Sequence, residues 1–235
     1  MSSGMNYGFM STRFYRIMQW IWWLAYLNLL WLGFTVLGLG FLGIFPATVA
    51  LYAVLRKWLT NETDISIFKV FWQTFKQDFL RANILGYILV VFGFIVWYNY
   101  QYLKIISGVE HTIILIFWIV FVVLFVLLVI FLFPIYSHFE LPLLQYLKTT
   151  IKIALSSPLA LVTVAIGLWL ALQIFSTIPG LIPFYSISIP GWLIMWATLH
   201  ALRRIERKKE RIENNEDSLK YRWKRLKEKF SSSMD

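Results

Sequence analysis

The placement of the charged residues constrains this chain more than any other feature. Its 22 Lys+Arg and 12 Asp+Glu leave four stretches of the 235 residues without an ionised side chain: 17–55, 82–103, 111–139 and 153–202. These stretches hold 39, 22, 29 and 50 residues, and a helix needs only about 20 to cross the hydrocarbon core of a bilayer. Soluble domains carry about a quarter charged residues. Here the share is 14%, with 59% hydrophobic and 19% aromatic residues. The chain therefore reads as an all-α, polytopic integral membrane protein. The lack of cysteine excludes a disulfide scaffold, a cysteine-ligated metal, a thiol nucleophile and an acylated cysteine anchor.

As one helix the first stretch would be about 58 Å long, against a hydrocarbon core of ~30 Å. It must break, and Gly38, Gly40 and Gly43 followed by Pro46 supply the weak point, since proline suits the first turn of a new helix. The expectation is one span over 17–37 and a second over 46–58. The last stretch breaks in the same way around Pro179, Gly180 and Pro183, with Pro190-Gly191 beyond, giving spans over 158–177 and 189–202. With 81–100 and 112–136 the total is about six segments, or five if 17–58 is a single crossing. Residues 1–202 form the membrane domain, and 203–235 a basic C-terminal helix.

Lys and Arg accumulate on the cytoplasmic side of membrane proteins. In the six-segment arrangement 21 of the 22 cations fall on one side and only Lys104 on the other; with five segments the split becomes 19 to 3. Both termini are thus expected in the cytoplasm. The second segment, 46–58, would reach only about 20 Å, which leaves a re-entrant or bundle-buried placement open. Arg13 and Arg16 before an apolar run resemble a signal peptide, but 39 uncharged residues far exceed the 7–15 of a signal core, and a retained first span is expected. Trp20, Trp22 and Trp23 near one end, and Trp97, Tyr98, Tyr100 and Tyr102 near the other, read as interfacial belts; a sugar-stacking platform is the sharper alternative.

Between the second and third segments, Asn61-Glu62-Thr63-Asp64 suits a helix cap. Phe68, Phe71, Trp72, Phe75 and Phe79 then recur at spacings of three and four, opposite Lys69, Gln73 and Lys76. This pattern predicts an amphipathic interfacial helix, either an elbow feeding the third span or a docking surface. A shorter version recurs at Leu143, Leu144, Leu147 and Ile151, and a shift of 72 residues aligns the two. Such a repeat would suit a transport fold, and chance similarity between short apolar strings accounts for it equally well.

The tail opens with Arg203, Arg204, Arg207, Lys208, Lys209 and Arg211. Near an anionic leaflet each is worth ~1 kcal/mol, so the cluster is expected to hold the tail against inner-leaflet lipids. Ile205, Ile212, Leu219 and Leu226 follow a seven-residue period, joined by Trp223 and Phe230, but Lys209 and Glu216 interrupt the seam, so a surface-lying helix is preferred to a coiled coil. Topology explains the positive charge, and nucleic-acid binding is not expected.

Apart from Arg56, Lys57 and Arg81 at span ends, no Asp, Glu, Lys or Arg lies within the spans, where catalysis or ion coupling would keep one at depth. The deep polar groups are amides and hydroxyls suited to interhelical hydrogen bonds. His138 and Glu140 are near in sequence, yet a two-residue spacing on a helix points them apart. Neither an enzymatic role nor a metal or cofactor is expected.

Asn28-Leu29-Leu30-Trp31, Gly38-Leu39-Gly40, FPATVALYAVLRKW over 45–58, Phe68-Lys69-x-Phe71-Trp72 and Phe79-Leu80-Arg81-Ala82-Asn83 together resemble the YesL-like family, small bacterial membrane proteins with a domain of unknown function. The resemblance is carried by residues 17–90. It implies encoding beside sugar-importer components and two-component regulators, and it marks Asn28, Pro46, Thr48, Tyr52, Arg56, Lys57, Trp72, Arg81 and Asn83 as positions of interest. Each also has a structural reading: a helix start for Pro46, topology for Arg56 and Lys57, packing for the others. The expected role is a non-enzymatic accessory protein of carbohydrate uptake or sensing in a bacterial plasma membrane, with a transporter or flippase as the alternative. Expected partners are the bilayer and its anionic inner-leaflet lipids, sugar-importer subunits or a sensor kinase, and a second copy of the chain in a homo-oligomer.

Overall fold

A computed structural model describes the backbone of residues 5–62 and 64–213 and the side chains of 15–62 and 64–212. The described residues form helices and no strand: α1 (Met5–Leu37), α2 (Phe41–Leu59), α3 (Ile67–Gln77), α4 (Phe79–Leu103), α5 (Gly108–His138), α6 (Leu143–Ser156), α7 (Pro158–Thr177), a 3-10 turn (Pro179–Leu181), α8 (Ile182–Tyr185) and α9 (Ser188–Glu213). The part of α1 from Tyr15, together with α2, α4, α5 and α7, is long and apolar enough to cross a membrane. Pro179–Tyr185 and Ser188–Ile212, bent by 58°, make up a broken sixth segment.

The chain divides into two units, 1–198 and 199–235. Within the first, α2 is the most buried of the five long helices and touches α1, α3, α4 and α5. Small and branched residues let neighbours close around it: Ala47, Val49, Ala50, Leu51, Val54 and Leu55 are almost wholly inaccessible. By contrast α5 and α7 turn apolar side chains such as Ile116, Phe117, Val162 and Trp169 outward, as lipid-facing helices do.

Helix α7 has the expected bounds, and α4 and α5 exceed theirs by a few residues at each end. Helix α2 differs in kind. It begins at Phe41 and carries Pro46 inside it, so Pro46 is not a helix start. The turn is made upstream by a Schellman motif. The Gly40 N–H donates to Thr35 O (2.8 Å) and the Leu39 N–H to Val36 O (3.0 Å), with Leu39 at φ 61°. A Cβ on Gly38 would strike the Cα of Gly43, and one on Gly43 would lie 2.5 Å from Thr35 O. These glycines let α1 and α2 meet backbone to backbone. With 19 residues α2 is about 28 Å long, sufficient for a crossing.

The polar cluster after α2 also acts differently from expectation. It closes α2: the Glu62 N–H donates to Lys57 O (2.9 Å), the Asn61 N–H to Trp58 O (3.2 Å), and Asn61 sits at φ 69°, a second Schellman motif using the residue that after glycine best tolerates that conformation. The Lys57 ammonium pairs with Glu62 across the same turn at 2.8 Å. Helix α3 starts instead at Ser66, with no side-chain cap bond.

Helix α3 has the expected amphipathic form. Its Phe71 and Phe75 are buried around Phe34 of α1, with ring centroids 5.0 and 5.1 Å away. Trp72 flanks the same ring at 5.4 Å and takes the Lys76 ammonium over its face at 4.7 Å. The apolar face is thus used within the bundle, as an elbow requires. The order of long helix, short amphipathic helix, long helix occurs twice, as α2–α3–α4 and α5–α6–α7.

In the second unit, α9 continues past 203 as helix to Glu213, so the span and the tail expected to divide there share one helix. Residues 214–235, with the late heptad positions Leu219, Trp223, Leu226 and Phe230, lie outside the described residues.

Candidate functional site

Where α2 and α5 end and α4 begins, three chain segments enclose a cleft of about 560 Å³. Arg56 comes from the last turns of α2, Asp78 and Arg81 from the α3–α4 junction, and Tyr136, His138 and Glu140 from the end of α5 and the loop beyond. Spacing had set His138 and Glu140 apart on a continuing helix. The helix stops at His138, and Phe139 is extended (φ −114°, ψ 151°), so both side chains line the cleft. Pro142 follows and cannot continue a helix.

Two tyrosines shape the wall. The Tyr136 hydroxyl donates to Asp78 Oδ1 at 2.7 Å, tying α5 to the α3–α4 corner. The Tyr146 hydroxyl donates to Phe139 O (2.7 Å) and accepts from the Leu141 N–H (2.9 Å), so it satisfies the polar backbone of the α5–α6 loop. Their rings lie 4.8 Å apart. Arg56 differs from these paired groups, because its Nε is buried without a hydrogen-bond partner. Neither Arg56 nor Arg81 forms an ion pair among the described residues, and Glu62 is taken by Lys57.

The two asparagines of interest lie elsewhere and do structural work. Asn28 is fully buried. Its Nδ2 donates to Pro183 O (2.7 Å), and its Oδ1 accepts from the N–H groups of Ile187 (2.9 Å) and Ser188 (3.1 Å). One amide thereby satisfies three backbone groups freed where the last segment is broken. Asn83 serves the proline inside α2. A proline at 46 offers no N–H to Leu42 O, its helical acceptor, and Asn83 Nδ2 donates to that oxygen instead at 3.0 Å. The same nitrogen also reaches Phe79 O at 2.8 Å.

A family profile described as "Protein of unknown function, DUF624" matches residues 24–100. Over 198 residues the chain is 35% identical to the Bacillus subtilis (strain 168) uncharacterized protein YteU, covering 83% of this chain and 87% of that protein. The chain belongs to this YesL-like family. It is also 33% identical over 192 residues to the uncharacterized protein YesV (78% of this chain, 88% of YesV) and 28% identical over 192 residues to the uncharacterized protein YesL (82% and 90%), both of Bacillus subtilis (strain 168). No solved structure matches.

The stretch matched by the family profile contains all nine positions of interest, and the structure divides them. Arg56 and Arg81 both line the cleft. Asn28 belongs to the α8–α9 break, Asn83 and Pro46 to the proline gap inside α2, Lys57 to the α2 turn, and Trp72 to the Phe34 cluster. Thr48 accepts from the Trp31 indole N–H (3.0 Å) and donates to Ile44 O (2.7 Å), joining α1 to α2. Tyr52 is buried where Gly191 approaches α2. In the second unit, Arg204, Arg207, Lys208 and Arg211 line one shallow pocket of about 370 Å³, and Arg203 offers its carbonyl to Arg207 Nε at 3.2 Å. Asp78, Tyr136 and Tyr146 were not singled out from sequence. Nothing local marks Asp78 and Tyr136, which pair across 58 residues, and Tyr146 acts through the backbone of the loop just before α6.

Proposed function

We propose that the protein is a non-enzymatic, multi-pass accessory protein of a bacterial plasma membrane that supports carbohydrate uptake or sensing. In this reading both termini, and the end bearing the cleft, face the cytoplasm. The observation that carries it is the position of the ionisable side chains. Arg56, Asp78, Arg81 and Glu140 gather at a helix-end cleft while 17–55, 82–103, 111–139 and 153–202 contain no Asp, Glu, Lys or Arg, an arrangement suited to contact at the membrane surface rather than to chemistry at depth. The carbohydrate context comes from the gene neighbours that the family resemblance implies, and the orientation from the bias of Lys and Arg. The polybasic start of the tail adds attraction to anionic lipids.

Affinity purification from native membranes tests the reading. Recovery of sugar-importer subunits or a sensor kinase, reduced by Arg56→Gln, is the expected result. Specific recovery of neither class would overturn it. A second reading, a transporter or flippase, draws on the two breaks at α1–α2 and α8–α9, since discontinuous helices line the sites of many carriers. Solute or lipid movement by the purified protein in proteoliposomes would replace the accessory reading with this one.

A further inference from the structure

We propose that the cleft between α2, the α3–α4 corner and the α5–α6 loop is a binding site for a phosphate ester whose organic part carries hydroxyl or ammonium donors. Two features define the chemistry. The first is a pair of cations, the guanidinium groups of Arg56 and Arg81, neither in an ion pair among the described residues, with Arg56 Nε buried and lacking an acceptor. A buried N–H of this kind is costly unless an acceptor reaches it, and a guanidinium presents a planar fork matched to a phosphate oxygen pair. The second is a pair of carboxylates lining the same cleft, Asp78 and Glu140. Asp78 uses Oδ1 for the Tyr136 hydroxyl, and Glu140 is exposed, so both retain acceptor capacity.

A bare anion would meet these two carboxylates unfavourably. A ligand bearing both an oxyanion and hydrogen-bond donors would satisfy both kinds of group. The volume, about 560 Å³, falls within the ~300–1,000 Å³ of small-molecule sites. The walls are also held before any ligand arrives, through the Tyr136–Asp78 bond and the two bonds of Tyr146. Because the cleft lies at the helix ends, the phosphate ester has two sources: the headgroup of a lipid such as phosphatidylglycerol or phosphatidylethanolamine, or a soluble sugar phosphate. The inference rests on the cleft itself and not on the accessory reading, so failure to recover a protein partner leaves it standing.

The test uses the full chain in two arms. In the first, protein in nanodiscs of phosphatidylcholine is titrated with glucose 6-phosphate, glycerol 1-phosphate and inorganic phosphate. In the second, native mass spectrometry measures retention of phosphatidylglycerol or phosphatidylethanolamine against phosphatidylcholine. Binding in either arm is expected, weakened at least tenfold by Arg56→Gln and by Arg81→Gln. Arg56→Lys, which keeps the charge and loses the fork, should fall between. Lys104→Gln, at the opposite end of α4 from the cleft, should have no effect on the same measurement. The variants are compared only where they elute as monodisperse protein with the parent's thermal midpoint, and Arg81→Gln, at an exposed side chain, serves if Arg56→Gln fails to fold. No binding in either arm, binding indifferent to both arginines, equal loss with Lys104→Gln, or inorganic phosphate binding as tightly as its esters would each overturn the proposal.

Discussion

Replacing Asn28 by leucine isolates the contribution of one buried amide to the broken last segment. The substitution preserves size and removes three hydrogen bonds of 2.7–3.1 Å, those to Pro183 O, Ile187 N–H and Ser188 N–H. Side-chain hydrogen bonds inside membrane proteins average ~0.6 kcal/mol in double-mutant cycles, and buried bonds in general contribute about 0.5–1.5 kcal/mol each. Three together give about 2–4 kcal/mol. Asn28 is fully buried, so water cannot replace the lost partners, and the cost should fall on local opening of the segment between α8 and α9.

At ~1.4 kcal/mol per factor of ten, the lower figure corresponds to about a 30-fold increase in the open population. The chain has no cysteine, so a Ser186→Cys thiol between α8 and α9 is a clean reporter. Its labelling rate in nanodiscs, measured where opening is fast relative to modification, should rise about 30-fold or more with Asn28→Leu. Asn28→Asp, which keeps an acceptor for the two N–H groups, should raise it less. A thiol at Ser137, at the end of α5, should be unaffected, which separates local opening from global unfolding. A change below threefold at Ser186, or an equal change at Ser137, would refute the assignment of Asn28 as the clamp of this break.

The pairing of Asn83 with Pro46 predicts non-additivity. Asn83→Ala should destabilise the protein by about 1 kcal/mol more in the parent than in Pro46→Ala, where a backbone N–H again reaches Leu42 O; additive thermal or denaturant stabilities would contradict the substitution of one donor for the other. The Glu62 carboxyl is held below its usual 4.5, first by the hydrogen bond from Lys57, then by the Lys57 charge and more weakly by Arg56. A depressed carboxylate contributes stability above its unfolded value and loses it as pH falls through the folded value. Glu62→Gln should therefore flatten the decline of the thermal midpoint below pH 4.5, and an unchanged acid limb would count against the Lys57–Glu62 link.

The spans were legible because hydrocarbon imposes a requirement on composition that survives without tertiary information. Helix α7 starts at a proline and ends before another, and its bounds follow from those residues directly. Two local features misled for physical reasons. Pro46 reads as a helix start because the missing N–H costs nothing there, but in the structure a side chain 37 residues away supplies the donor. Asn61 reads as a cap for the helix that follows, yet its tolerance of positive φ makes it equally able to close the helix that precedes. The cleft was illegible as a unit. Arg56 and Arg81 were marked by resemblance, but Tyr136 and Asp78 meet across 58 residues, and Glu140 joins them only because α5 stops two residues earlier.

Asparagine stands at two gaps in the backbone hydrogen bonding, the α8–α9 break and the proline inside α2. A broken helix in a bilayer frees backbone donors and acceptors together, and no lipid can satisfy either. A carboxylate offers only acceptors when ionised and an ammonium only donors, and each adds a charge that is expensive at depth. A neutral amide offers both kinds without charge, and Asn28 uses both, accepting twice and donating once. Asn83 uses its donor twice, on Leu42 O and Phe79 O. Most of that polarity is consumed in holding the fold together; what is left buried without a partner among the described residues, Asn83 Oδ1 and Ser188 Oγ, is uncharged. At the helix ends the leftover group is a cation: Arg56 Nε is buried without a partner among the described residues, and the surrounding tyrosines spend their hydroxyls on fixing the walls. A ligand is therefore to be sought at the charged end of the bundle, and substitutions at Asn28 or Asn83 should alter binding there only to the extent that they alter folding.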